Sequence, residues 1–126
     1  MPLNNLTTMI KSYTNLGQSK RLAEILPHKS ADGTWEKVSI CGAKVDIPED
    51  MQYRHKEIPF SFFSGIGVPC WSLAALLDYL LVNQGVIVKS LDKQWEVDCI
   101  VHVEYSKELV DACYEMIIEL HEQKFL

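Results

Sequence analysis

Hydrophobic alternation is clearest late in the chain. Trp95, Val97, Cys99, Val101 and Val103 fall on one side of a period-two pattern, with Glu96, Asp98, Ile100, His102 and Glu104 on the other. A strand over Trp95–Glu104, joined near Asp92-Lys93 to a strand over Val86–Leu91, should form a hairpin with one face on a core and one largely on water. Elsewhere the period is helical. Leu73, Leu76, Leu77, Leu80 and Leu81 make a wide apolar stripe over Trp71–Val82. Ser72 is placed to cap that helix, and Asn83-Gln84-Gly85 to end it through a left-handed glycine. This stripe is the widest in the chain, so its helix is expected to be the most buried, with Leu77 in the core.

Two more helices follow from the same reasoning. Leu22, Ile25 and Leu26 mark a core face over Leu16–Leu26, with Asn15 and Gln18 spaced for a capping box, Lys20 and Glu24 paired outside, and Pro27 as the stop. Leu109, Cys113, Met116, Ile117 and Leu120 line a helix over Lys107–Gln123, capped by Ser106, with His121 near its C-terminal carbonyls. Leu3, Leu6, Ile10 and Tyr13 suggest a first helical element, which Thr7 and Thr8 weaken. Between the helices, Trp35–Cys41 reads as a strand with Val38 and Ile40 on one face. Gly42 breaks it, Lys44–Ile47 is a candidate return strand, and Met51–Phe60 a further short one. Hairpins dominate and no βαβ unit is evident. The expected fold is a single α+β domain over residues 1–126, mainly an antiparallel sheet with about three helices packed on one face.

Composition narrows the function classes. The 126 residues are enough for one core, and 48 % apolar with 23 % charged residues is ordinary for a globular chain. A net charge of −5 disfavours nucleic acid as partner, because phosphate binding needs a cationic footprint. The charge is uneven. Lys11, Lys20, Arg21 and Lys29 against Glu24 leave the first thirty residues at about +3 and the rest at about −8. Lys20, Arg21 and Lys29 are thus a candidate basic patch, weighed against ordinary solvated helix faces. No cationic start precedes an apolar run, and no apolar stretch is long enough to span a bilayer, so a cytoplasmic protein without membrane contact is expected. Cys41, Cys70, Cys99 and Cys113 show no CxxC spacing. In a reducing compartment they are expected to be free, and at least three to pack as small hydrophobes.

Three stretches carry a family resemblance. They are Gln18-Ser19-Lys20-Arg21-Leu22-Ala23-Glu24-Ile25-Leu26-Pro27 with Ser30-Ala31-Asp32, then Pro69-Cys70-Trp71-Ser72-Leu73-Ala74-Ala75-Leu76-Leu77, then Asp111-Ala112-Cys113-Tyr114-Glu115-Met116-Ile117-Ile118-Glu119-Leu120-His121-Glu122. Covering about a third of the chain, they resemble an uncharacterised family of small proteins from Bacteroides-type gut bacteria, their phages and integrated elements. The resemblance implies origin in a phage or mobile element; it implies no activity.

Cys70 is the most interesting residue for chemistry. It precedes a helix start, where N–H groups and the dipole would lower a thiol pKa. Cys70-Trp71 also resembles the helix start of papain-like peptidases, with His102 as base and Glu96, Asp98 or Glu104 to orient it. The glycine-rich part of that signature is absent, and so is a downstream Asn. The competing expectation is a cysteine packed beside Trp71. No metal is expected: Cys99 and His102 would face opposite sides of a strand, and His28 and His55 fall in separate loops. Gly65-x-Gly67 lacks the rest of a phosphate loop, so no cofactor is expected. Phe60, Phe62, Phe63 and Trp71 are a candidate aromatic patch for a partner, weighed against core packing. The leading reading is a non-catalytic binding protein with a protein partner. The alternative is a small cysteine hydrolase using Cys70 and His102.

Overall fold

The computed structural model describes residues 11–38 and 47–126. The chain is α+β: the described residues form three α-helices and two three-stranded antiparallel sheets. Its contacts divide into two compact units, Asn15–Trp71 and a second made, among the described residues, of 11–14 with Ser72–Leu126. The strands expected in one sheet are therefore shared between two.

The Asn15–Trp71 unit opens with α1 (Leu16–Ala23). The capping box forms as its residue types dictate: the Gln18 N–H donates to Asn15 Oδ1 at 2.8 Å, and the Asn15 N–H donates to Gln18 Oε1 at 3.0 Å. The helix stops short of the expected Leu26. The Glu24 N–H turns to Arg21 O and that of Ile25 to Leu22 O, so the last turn tightens before Pro27 is reached. Leu26 remains buried. Strands β1 (Gly33–Lys37), β2 (Tyr53–Lys56) and β3 (Gly67–Cys70) pair in the order β2-β1-β3. Trp35 lies opposite His55 on one side and Val68 on the other. Position 67 accepts only glycine at this spacing, because a Cβ would lie 2.7 Å from Trp35 O. Strand β3 packs on α1, and the core is Leu16, Leu22, Leu26, Ala31, Cys70 and Trp71. Three of its polar groups are satisfied locally, whereas the buried His55 Nε2 finds no hydrogen-bond partner among the described residues. Thr34 Oγ1 donates to Ile58 O at 2.8 Å, the Trp71 indole N–H to Ser30 Oγ at 2.9 Å, and the Ser30 hydroxyl to Pro27 O at 2.6 Å.

The expected strand over Trp35–Cys41 ends at Lys37, and Val38 donates its N–H to Gln52 O. Ile40, Cys41 and all but the last residue of the expected strand Lys44–Ile47 lie outside the described residues, as do Leu3, Leu6 and Ile10. Tyr13 forms an isolated antiparallel bridge to Ser72 rather than continuing a helix.

The second unit holds α2 (Leu73–Asn83), the meander β4 (Ile87–Leu91), β5 (Gln94–Asp98) and β6 (Val103–Ser106), and α3 (Leu109–Glu122). Ser72 caps α2 as its position predicts, its Oγ accepting from the Ala75 N–H at 3.2 Å. Gly85, at φ 67, ends that helix in the left-handed region. The most buried helix is α3, not α2. Val110, Ala112, Cys113, Met116, Ile117 and Leu120 are fully buried on α3, whereas α2 buries Leu76 and Leu80, leaves Leu77 half-buried and exposes Leu81 and Val82. The reason is placement. Helix α3 packs against α2, β5 and β6 together, so its stripe is covered from several sides. It begins two residues later than Ser106 would set. The Glu108 N–H donates to Ser106 Oγ at 3.3 Å, and Glu108 occupies the cap position. Lys124 closes the helix at φ 66, with the Phe125 N–H reaching back to Leu120 O at 2.8 Å.

The expected long strand Trp95–Glu104 is two strands. A tight turn at Cys99–His102, in which the Cys99 N–H donates to His102 O at 2.9 Å, folds β6 back on β5. This reverses part of the predicted facing. Val103 pairs with Asp98, and Tyr105 with Glu96, so both lie on the outer face, while Glu104 pairs with Val97 and lies on the inner one. Val97 is fully buried on the inner face, as the alternation predicts.

Candidate functional site

The two residues of the expected thiol site fall in different units: Cys70 ends β3 and His102 closes the Cys99–His102 turn. Cys70 is fully buried and is separated from the start of α2 by Trp71 and the Ser72 cap. Burial, aided by the negative charge of Asp32, pushes its thiol up to about 12, opposite to the direction a helix start would give. His102 pairs with Glu104. The nearest imidazole of interest to Cys70 is that of His55, which sits on β2 rather than in a loop. A Cβ added to Gly33 would lie 2.7 Å from Cys70 Sγ and 3.1 Å from His55 Nε2, so the two side chains converge beneath that glycine. Burial lowers the His55 pKa, against smaller opposing effects of Glu57 and Asp32. The pair is a protonated thiol beside a neutral imidazole, a packing arrangement and not an activated nucleophile.

Cys113 is likewise fully buried and pushed up to about 12 by desolvation. Cys99 is half-buried, its Sγ 3.8 Å from Met116 Sδ. Cys70, Cys99 and Cys113 are free thiols; Cys41 lies outside the described residues. Among the described residues no three His, Cys, Asp or Glu side chains converge as a metal site would require.

The basic patch is already engaged in part. Lys20 pairs with Glu49, and its ammonium lies 5.8 Å from the centre of the Tyr53 ring. Its pKa is raised by that hydrogen bond to Glu49, and the Glu49 pKa is lowered by the same contact. Arg21 shares the last turn of α1 with Lys20, where cations complement the helix end, and Lys29 lies in a separate 3-10 turn, His28–Ser30. The aromatic residues also separate. Trp71 is core and Phe62 is 81 % exposed. Phe60 and Phe63 are half-buried, Phe60 edge-on to His28 at 5.5 Å and Phe63 folded under Gly65 and Gly67. Phe60 thus packs on the His28 turn and Phe63 on its own loop, leaving Phe62 as the one exposed member of the set.

The site that sequence reasoning missed is the outer face of the β4–β5–β6 sheet. Ile87, Asp98 and Val103 form one row across all three strands, and Lys89, Glu96 and Tyr105 form the next. Ile87 is 62 % exposed, Tyr105 54 % and Val103 40 %, and Ile100, on the turn beyond the row, is 99 % exposed. Lys89 Nζ lies 3.5 Å from both Glu96 Oε2 and Asp98 Oδ2. The two carboxylates raise the Lys89 pKa, Glu96 most. The charge of Glu96 also raises the Tyr105 phenol, with partial burial adding to it. The row ends in an open cavity of about 380 Å³ lined by Gly85, Ile87, Asp98, Cys99, Ile100 and Val103. One signal was present in the sequence: Ile100 is apolar but sits among the polar positions of the Trp95–Glu104 alternation.

Compared with known protein families, curated proteins and solved structures, the chain matches none. Among the described residues no helix is long and apolar enough to cross a membrane.

Proposed function

We propose that the chain is a non-catalytic interaction protein that docks a protein partner on the outer face of β4–β5–β6. The observation that carries this reading is the run of exposed apolar side chains Ile87, Ile100, Val103 and Tyr105 around a small polar centre. A contiguous exposed patch of this kind, rimmed by polar residues, is what interaction sites present. The buried, protonated state of Cys70 supports the same reading by removing the best nucleophile from solvent. The resemblance to small proteins of Bacteroides-type gut bacteria and their phages supports a phage or mobile-element origin.

The test is comparative capture. Wild type and the Ile87→Asp/Ile100→Asp variant, matched for melting temperature, are used as baits in a Bacteroides-type host lysate. A partner retained by wild type and lost by the variant is the expected result. Equal recovery by both removes the outer face as the docking surface.

A further inference from the structure

The end row of the sheet has a chemistry more specific than an apolar patch. Asp98 stands between Ile87 and Val103 on the same face, with Ile100 over the turn beyond them. Its Oδ2 faces Lys89 at 3.5 Å. Its Oδ1 is buried and finds no hydrogen-bond donor among the described residues. A buried carboxylate oxygen without a donor is costly, so it is a position where an incoming N–H gains most. The walls on either side are aliphatic, and the cavity, about 380 Å³, is within the range of small binding sites. Long cationic side chains match that combination, since they lay an apolar stem along aliphatic walls and present N–H groups at the tip. The local charge agrees: Glu96 and Asp98 outnumber Lys89 on this face.

Resting on the interaction reading above, we propose that this slot receives an arginine side chain from the partner protein. Its stem lies between Ile87 and Val103, and its guanidinium donates to Asp98 Oδ1, which a rotation of the carboxylate brings out to the slot. Arginine fits better than lysine because a planar fork can serve Oδ1 while Lys89 stays on Oδ2.

The probe is the capped tripeptide acetyl-Val-Arg-Val-amide, titrated into the full chain at low salt and followed by amide NMR shifts. Companion peptides carry citrulline, lysine or norleucine in place of arginine. The expected result is saturable shifts at Ile87, Asp98, Ile100 and Val103, with binding in about the millimolar range for so small a ligand. Citrulline should bind at least about tenfold more weakly, since it keeps the shape and loses the charge. Asp98→Asn should weaken the arginine peptide by a similar factor. Ile100→Ser, at a fully exposed position that does not support the fold, should weaken it too. Norleucine or citrulline binding as well as arginine would leave only an apolar patch and overturn the proposal, as would no saturable shift in these residues. Lysine binding as tightly as arginine would overturn the choice of guanidinium. If the peptide fails while partner capture is still lost in Ile87→Asp/Ile100→Asp, the docking face stands and the arginine slot falls. If the peptide binds while capture is equal in both baits, the slot stands and the interaction reading falls.

Discussion

The two sheets of this protein are alike in size and sense, yet they were assembled under different constraints. Strands β4, β5 and β6 follow one another in sequence and in space through tight turns, so every pairing is local. In the other sheet β1 lies between β2 and β3, and residues 38–52 separate it from β2. The first sheet needs one covering helix, and α3 supplies a fully apolar face. The Asn15–Trp71 unit buries Ser19, Thr34 and Cys70 and half-buries His55, with Thr34 held by a side-chain hydrogen bond and Cys70 and His55 packed closely under Gly33. The meander unit is therefore expected to respond to lost volume, and the β2-β1-β3 unit to added volume and to charge.

The largest effect should come from α3. Ile117 is fully buried, and its truncation to Ala should cost about 2–5 kcal/mol by transfer and cavity terms. Leu77→Ala on α2 should cost clearly less, because Leu77 is half-buried. Denaturant melts of both variants decide it. A larger loss for Leu77 would mean that α2, not α3, anchors this core.

Added volume should matter most at Gly33. An alanine there places its Cβ 2.7 Å from Cys70 Sγ, 3.1 Å from His55 Nε2 and 3.4 Å from Lys56 O. Overpacking of this kind costs about 1–3 kcal/mol. Combining Gly33→Ala with Cys70→Ala removes the nearest atom and should recover part of the loss. Gly85→Ala is the contrast: nothing lies within 4 Å of its Cβ, and its cost comes from φ 67, about 1–2 kcal/mol. If the double variant is as unstable as the sum of its parts, Cys70 and His55 do not share the space beneath Gly33.

Charge should act on the same unit through His55. Its folded pKa is lowered, chiefly by burial, so the unfolded chain binds a proton first as the solution acidifies. The stability associated with neutral His55 is complete above the unfolded value near 6.5 and declines as pH falls below it. His55→Gln should flatten the stability profile between about pH 7 and pH 5. An unchanged slope would assign the pH dependence to other groups, of which Glu115, raised mainly by burial with Glu104 and its helix neighbours adding, is on the meander unit.

What could be read from the sequence divides along the same line. The capping box at Asn15, the Ser72 cap, the glycine stop at Gly85 and the buried stripe of α3 are short-range patterns, and the structure contains them. The turn at Cys99–His102 could not be read, because Ile100 and Val101 carry no turn chemistry and continue the alternation. That single reversal put Val103 and Tyr105 on the outer face and created the Ile87–Asp98–Val103 row. The candidate site was illegible for this reason: its members are 16 residues apart in sequence, and only the register joins them. The aromatic and basic residues singled out by type proved to have local uses, Phe63 under its glycines and Lys20 on Glu49. Residue type suggested chemistry, but pairing decided which groups met.

The finest comparison is between the two N-caps, one in each unit. Asn15 Oδ1 accepts from the Gln18 N–H at 2.8 Å and the Asn15 N–H donates in return to Gln18 Oε1 at 3.0 Å, whereas Ser72 Oγ accepts from the Ala75 N–H at 3.2 Å. Loss of either cap leaves a first-turn N–H to water, at a cost of about 1 kcal/mol. Asn15→Ala removes the acceptor of the shorter bond, and the bond from the residue-15 N–H to Gln18 Oε1, which alanine retains, loses its reciprocal partner. Asn15→Ala should thus cost slightly more than Ser72→Ala, even though α1 is the shorter helix. Amide exchange reads each cap where it acts. Protection at the Gln18 N–H should fall in the first variant and at the Ala75 N–H in the second. If Ser72→Ala is the costlier change, the cap on α2 does more than satisfy one donor. The bridge from Tyr13 to Ser72 and the bond from the Leu73 N–H to Ser12 O would then be where that extra stability resides.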